Sequence, residues 1–142
     1  QRVLREMPDR IASIRADPIG ALRRLKLGSL SNDLPIDRGY LVVDQEPIRI
    51  GKGDIRDGRV TISWALAAGS PHTFPSNGIV IGPGPSKDTP QDLKCAVQGS
   101  QAKVFECSFR APEGRFKYKY TVRVRHGEKA LEALDPFVES GY

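Results

Sequence analysis

The segment that most constrains the fold of this chain runs from residue 115 to residue 125 and reads RFKYKYTVRVR. Aromatic or apolar side chains occupy every second position, and Arg, Lys or Thr occupies each position between them. Successive side chains of a β-strand point to opposite faces of a sheet, whereas a helix repeats about every 3.6 residues. The segment therefore predicts a long strand with one buried face and one solvated face, as in an antiparallel sheet.

Several other segments downstream of residue 39 have strand character, and turns rich in Gly and Pro separate them. The alternation in one of them places Trp64, the single tryptophan, toward the core, and the sequence QGSQ at 98–101 is a hairpin signal. Many short strands without intervening helices predict an antiparallel Greek-key β-sandwich of seven or eight strands over residues 36–142. Besides 115–125, the predicted strands are 40–43, 48–50, 58–66, 79–81, 93–97, 103–109 and a final edge strand within 130–138, with Pro136 at its boundary.

The first 35 residues differ in composition, because they carry seven Lys or Arg against four acids. Their apolar side chains have helical spacing, which predicts one helix beginning near Pro8 and a second from an N-cap at Asp17 to a stop at Gly28. We expect residues 1–35 to form a basic amphipathic helical segment and linker that docks on a partner protein or on the sheet. The first helical stripe consists of Leu4, Met7, Ile11 and Ile14, and the candidate binding cations are Arg15, Arg23 and Arg24.

The overall composition excludes several classes of protein. The chain has 142 residues, of which 39% are hydrophobic and 27% charged, so it is neither disordered throughout nor collagen-like. It contains no apolar run approaching the roughly 18 residues of a membrane span and no signal-peptide core. The net charge of +5 is too mild to identify nucleic acid as the partner. Secreted, periplasmic and cytoplasmic locations are all compatible with this composition.

The chain has two cysteines and two histidines. Cys95 and Cys107 face each other across the predicted hairpin, where they form either a disulfide or two reduced core thiols. His72 lies in a proline-flanked loop and is expected to be exposed, as is His126 in a turn. No zinc-site spacing, nucleophile–base pair or acid pair is present, so we predict neither a cofactor nor enzymatic activity.

The solvated face of the 115–125 strand carries a basic row of four side chains, which has two interpretations. It can follow the phosphates of a nucleic acid, or it can keep the strand soluble and discourage pairing between sheet edges. The second is favoured, because no exposed aromatic side chains are expected to interleave with the charges as bases require for stacking. The basic row comprises Lys117, Lys119, Arg123 and Arg125.

Two stretches of the β region resemble the cupredoxins, the plastocyanin-like sandwiches. Residues 62–64 (ISW) followed by 70–74 (SPHTF) resemble the strand and loop that carry the first copper ligand in that family. Residues 105–107 (FEC), a loop with Pro and Gly, and then 116–124 resemble the ligand loop and last strand.

The cupredoxin resemblance implies His72 as an imidazole ligand and Cys107 as a thiolate ligand of copper. The family also has a second His, and usually a Met, in the loop after the Cys, because blue copper is bound by two imidazoles and one thiolate. Here that loop, 108–115, reads SFRAPEGR and holds two arginines instead. The resemblance therefore implies the fold without a complete copper site.

A second resemblance concerns residues 112–120 (PEGRFKYKY) and the later Asp135-Pro136, which are similar to the end of starch- and glycogen-binding sandwich modules. It implies the same architecture, cupredoxin-like or immunoglobulin-like, but a glycan ligand on exposed aromatics.

We predict a non-enzymatic interaction or assembly module that binds a partner protein or adjoining domain through the N-terminal helices or a sheet edge. The alternatives are a ligand-binding module for glycan, or for nucleic acid on strand 115–125, and a copper or redox protein using His72 and Cys107.

Overall fold

The computed structural model describes residues 2–5, 11–18, 40–43, 47–66, 70–133 and 136–142, and within these ranges it contains twelve strands and one short 3₁₀ helix. The strands are β1 Arg2–Arg5, β2 Ile11–Pro18, β3 Tyr40–Val43, β4 Ile48–Ile50, β5 Ile55–Arg56, β6 Arg59–Leu66, β7 Ile79–Gly82, β8 Gln91–Gln98, β9 Val104–Arg110, β10 Lys117–His126, β11 Lys129–Ala133 and β12 Phe137–Ser140, and the 3₁₀ helix is Lys52–Asp54.

The strands form two sheets. One has seven strands in the order β1-β3-β2-β6-β9-β8, with β5 also beside β6. The other has five, in the order β11-β10-β12-β4, with β7 also beside β10. All pairs are antiparallel except β2 with β3 and β4 with β12. The prediction of a mainly β, two-sheet protein is confirmed, and eight of the strands (β4 to β10 and β12) have fully described side chains.

The core lies between the two sheets, and strand β10 contributes its whole apolar face to it. Its buried residues alternate with exposed or half-buried ones, as the two-residue period predicted. Trp64 of β6 is fully buried, as expected, with its ring centroid 5.3 Å from that of Tyr120. Phe109 packs edge-on against two further aromatic rings near one end of the sandwich. The members of the hydrophobic core cluster on β6, β9 and β10 are Val60, Ile62, Trp64, Leu66, Phe105, Cys107, Phe109, Tyr118, Tyr120, Val122 and Val124.

The described parts of the N-terminal segment, Arg2–Arg5 and Ile11–Pro18, are strands, and the rest of the predicted helical segment lies outside the described residues. Strand β2 pairs antiparallel with β6, from Ile14 opposite Leu66 to Pro18 opposite Ile62, and parallel with β3. Pairing with an established sheet supplies backbone hydrogen bonds that outweigh a weak local propensity. Nearly all of the second predicted helix lies outside the described residues, so that helix stays a prediction.

Two further expectations are corrected. The strand predicted at an edge is interrupted at Pro136, and its second part, β12, lies inside the sheet between β10 and β4. The alternation within the predicted strand 93–97 also predicts an inward position for Leu93, two residues before Cys95. Leu93 is instead 36% exposed, because the pairing of β8 with β9 shifts register between Gln91 and Lys94. In the described part of the chain, no helix is long and apolar enough to cross a membrane.

Candidate functional site

Strand β8 forms one end of the seven-stranded sheet, and β9 is its neighbour on the other side. Six of its eight residues are exposed, and the other two, Cys95 and Val97, are half-buried against the core. An edge strand of this kind presents a row of backbone groups to solvent, to which another chain can pair.

The register identifies which backbone groups of β8 face outward. Cys95 lies directly opposite Cys107 with a Cα–Cα distance of 4.1 Å. In antiparallel pairs, residues that do not exchange hydrogen bonds lie about 4.5 Å apart and those that do lie about 5.5 Å apart. The N–H and C=O groups of Cys95 therefore point away from β9, and by the two-residue period so do those of Val97.

Cys95 and Cys107 are joined by a disulfide, which links the edge strand to its neighbour. Cys107 is fully buried in the core, as expected of a small hydrophobe. In the disulfide form its sulfur is not available as a thiolate ligand. Among the described residues, no cluster of three or more His, Cys, Asp or Glu could hold a metal ion.

The two halves of β8 differ in how they are protected against further pairing. The first half contains the register shift, the positive φ of Asp92 and the charged Lys94. An irregular backbone and a charged side chain both hinder the pairing of another strand with an edge. The second half, Cys95–Gln98, has no charge, no proline and no register shift. This half is the more open to strand addition.

An ion pair anchors the protected half of β8. The guanidinium of Arg59 lies 2.5 Å from Asp92 Oδ2 and also donates to Asp92 O at 2.8 Å and to Ser108 Oγ at 3.0 Å. The hydrogen bond and charge of Arg59 lower the pKa of Asp92 below its ordinary value. Arg59 thereby joins β6, β8 and β9 at one end of the sheet.

The outer face of the five-stranded sheet carries the predicted basic row, and β12 adds an aromatic ring to it. The Lys117 and Lys119 ammonium groups lie 4.5 and 5.8 Å from the Phe137 ring centroid. Glu139 lies between two cations, 3.7 Å from Lys117 Nζ and 4.0 Å from Arg49 Nε. Phe137 is half-buried, so this contact does not contradict the expectation that no exposed aromatic side chain interleaves with the basic row.

Sequence reasoning missed Phe137 because the partner strand of β10 could not be identified from the sequence. Arg125 lies at the far end of the row, where its backbone pairs with that of Thr73. Of the N-terminal candidates, Arg15 lies on β2 but its side chain is not described, and Arg23 and Arg24 lie outside the described residues.

His72 is 3% exposed, so the expectation of an exposed loop histidine was wrong. Its loop is held against the sandwich because Lys103 Nζ donates to Ser70 O and His72 O, each at 2.5 Å. Burial lowers the pKa of Lys103. His126 is exposed, as predicted, with its ring centroid 5.5 Å from that of His72.

A cavity of about 580 Å³ opens at one end of the sandwich, where the loop after β7 meets the loop after β9. Arg110 and Arg115 line it, and these are the two arginines of loop 108–115, which corresponds to the ligand loop in the cupredoxin resemblance. An adjoining cavity of about 410 Å³ shares Arg115, Phe116 and Asp88 with it. This site could not be predicted from the sequence, because its two loops are far apart along the chain.

No family model, curated protein or solved structure matches this chain. Its function must therefore be inferred from the surfaces described above.

Proposed function

We propose that this chain is a non-enzymatic binding module that captures a partner protein by adding a strand of the partner to β8. The observation that carries the proposal is the uncharged edge at Cys95–Gln98, whose outward backbone groups belong to Cys95 and Val97. In strand addition, backbone hydrogen bonds supply affinity, and alternate side chains supply specificity.

We also propose an immunoglobulin-like type of sandwich. Two features support it: β6-β9-β8 lies in one sheet and β12-β10-β7 in the other, and β4 runs parallel to the last strand. Immunoglobulin sandwiches likewise divide their strands into sets ABED and CFG. The cupredoxin resemblance rests on similar strands and loops, but the copper alternative loses its thiolate when Cys107 is oxidised.

The side chains around the open half of β8 suggest the kind of segment it accepts. Ala96 is small and exposed, and Gln98 is exposed and uncharged, so they do not repel an incoming strand. Val97 is half-buried against the core, and Leu93, in the other half of the strand, adds exposed apolar surface. An extended segment with apolar side chains at alternate positions fits this edge.

The test uses tagged chain 1–142 to capture partners from native lysate, with washes at low and high salt. Val97→Pro removes one outward N–H, and an edge strand tolerates proline where its N–H faces solvent. Val97→Ala is the matched control, because it shortens the same side chain and keeps the N–H. We expect Val97→Pro to weaken salt-resistant capture about tenfold, since a partner carbonyl loses its donor.

The two variants must first show the same buried-tryptophan fluorescence as the parent chain. Equal capture by Val97→Pro and Val97→Ala would exclude addition at this edge.

A second candidate function, binding of a polyanion, is favoured by Phe137 beside Lys117 and Lys119, an arrangement suited to both phosphates and bases. Nucleic acid that is captured at low salt and released at high salt would support that function instead.

A further inference from the structure

The cavity at the loop end of the sandwich has the size and position of a ligand site. Its volume of about 580 Å³ lies within the roughly 300–1,000 Å³ typical of small-molecule pockets. Loops at the ends of a rigid sandwich commonly carry binding residues. The groups around it are more informative than its size.

Three cations line this cavity, and none of them forms a salt bridge with an acid among the described residues: Lys87, Arg110 and Arg115. The charge of Arg110 makes a minor contribution to the lowered pKa of Asp92, whose salt-bridge partner is Arg59. Neighbouring cations are paired, since Arg59 contacts Asp92 and Lys117 contacts Glu139. A guanidinium group has a planar fork of donors that matches a carboxylate or phosphate in two parallel hydrogen bonds. The unpaired arginines therefore favour an anionic ligand.

Other polar groups in the lining suit hydroxyl groups. Asp88 and Glu113 offer acceptors, and Thr89 and Gln91 offer both donors and acceptors. Burial raises the pKa of Tyr118, and the charges of Asp88 and Tyr142 raise it further, so the phenol stays protonated near neutral pH. With three cations and two acids, the lining does not suit a bare polyanion as well as an anion with several hydroxyls.

The two loops are held in place by hydrogen bonds of their backbone groups. Ala111 N donates to Gly58 O at 2.8 Å, and Lys87 N donates to Gly84 O at 2.9 Å. Phe116 N donates to the Ser140 hydroxyl oxygen at 3.1 Å, and Ser140 N donates to Phe116 O at 2.9 Å. A preformed site loses less entropy when it binds a ligand.

We propose that this cavity binds a small organic anion that also carries hydroxyl groups. Arg110 and Arg115 hold the anionic group, and Asp88 and Glu113 accept hydrogen bonds from the hydroxyls. The site is separate from the open half of β8, so this proposal stands independently of strand addition.

The experiment is a calorimetric titration of chain 1–142 with four probes: glucose 6-phosphate, glucuronate, glucose and inorganic phosphate. We expect one or both of the sugar anions to bind at least about tenfold more tightly than glucose or phosphate alone. Preference for glucose 6-phosphate assigns a phosphate ligand, and preference for glucuronate assigns a carboxylate. Failure of both sugar anions to bind, or equally tight binding of inorganic phosphate, would overturn the proposal.

Two variants locate the site. Arg115→Gln is expected to weaken sugar-anion binding by about tenfold or more, because a charge-assisted bidentate contact is lost. Arg56→Gln removes the same charge from an exposed position on β5 outside the cavity and should leave binding unchanged. Equal losses in the two variants would show that only the net charge matters and would refute a site at this cavity.

Discussion

At the scale of single residues, Gly84 has the tightest surroundings of the described glycines. A Cβ atom there would overlap the Lys117 carbonyl oxygen and lie 2.8 Å from its carbonyl carbon. Both are backbone atoms of the central strand β10, which cannot move aside as a flexible side chain would. We expect Gly84→Ala to lower the free energy of unfolding by about 1–3 kcal/mol or more, the usual cost of overpacking. Urea unfolding followed by tryptophan fluorescence measures this loss.

Gly82 provides the matched control, two residues earlier in the chain. A Cβ atom at Gly82 would have no atom within 4 Å. Gly82→Ala should therefore change the free energy of unfolding by no more than about 0.5 kcal/mol. If Gly84→Ala were as stable as Gly82→Ala, the loop after β7 would have to move away from β10.

Residue environments could be predicted from the sequence where they follow a strand period and not where they depend on a tertiary contact. Trp64 and Cys107 are buried as predicted, because each occupies an inward position of an alternating strand. His72 is buried because Thr73 pairs with Arg125 and Lys103 binds the loop carbonyls. Those partners are about 30 to 50 residues away along the chain, so a local pattern contains no sign of them.

At the scale of elements, the Arg59–Asp92 pair connects the ends of β6 and β8 and makes their association depend on pH. The pKa of Asp92 is lower in the folded chain than its ordinary value of 3.8. A lowered carboxyl pKa stabilises the fold above the unfolded pKa, and this stabilisation is lost as the pH falls through the folded pKa. We expect Asp92→Asn to reduce the loss of stability between pH 7 and pH 3, measured by urea unfolding.

Asp57→Asn is the control for the change in residue type. Asp57 and Asp92 both have positive φ, 52° and 53°, a conformation that Asn also adopts readily. Asp57 is exposed in a turn and has no ion-pair partner among the described residues. The control should keep the pH dependence of the parent chain, and an equal change in both variants would contradict the role of the Arg59 pair.

Most strands could be predicted from the sequence, but their neighbours could not. The two-residue period of the sequence identified β6 and β10 almost to the residue, although only β10 alternates in burial over most of its length, and β6 is buried on both faces from Ile62 to Leu66. Nothing local indicated that β12 lies inside its sheet, which is why Phe137 was absent from the predicted basic surface. The cavity was missed for the same reason, because it exists only where two distant loops meet.

At the scale of the whole molecule, the N-terminal segment is tied to the sandwich by a strand. The change in composition near residue 35 predicts a domain boundary there. Strand β2, which precedes that boundary, nevertheless pairs with β6 over five residue positions, including Ala16 opposite Trp64. In the same sheet, β3 has β1 and β2 as its two neighbours. Residues 36–142 alone would therefore expose an edge of β6 and leave β3 without either neighbour.

Deleting residues 1–35 is accordingly expected to destabilise the remaining sandwich. Each backbone hydrogen bond that is lost between β2 and its neighbours is worth about 0.5–1.5 kcal/mol. Urea unfolding monitored by Trp64, the only tryptophan, reports directly on the strand that loses its neighbour. Deleting residues 1–10 is the control, because it removes β1 but leaves β2 paired with β6, so it should cost less. If residues 36–142 unfold at the same urea concentration as the whole chain, β2 contributes nothing to stability and the boundary near residue 35 is a true domain boundary.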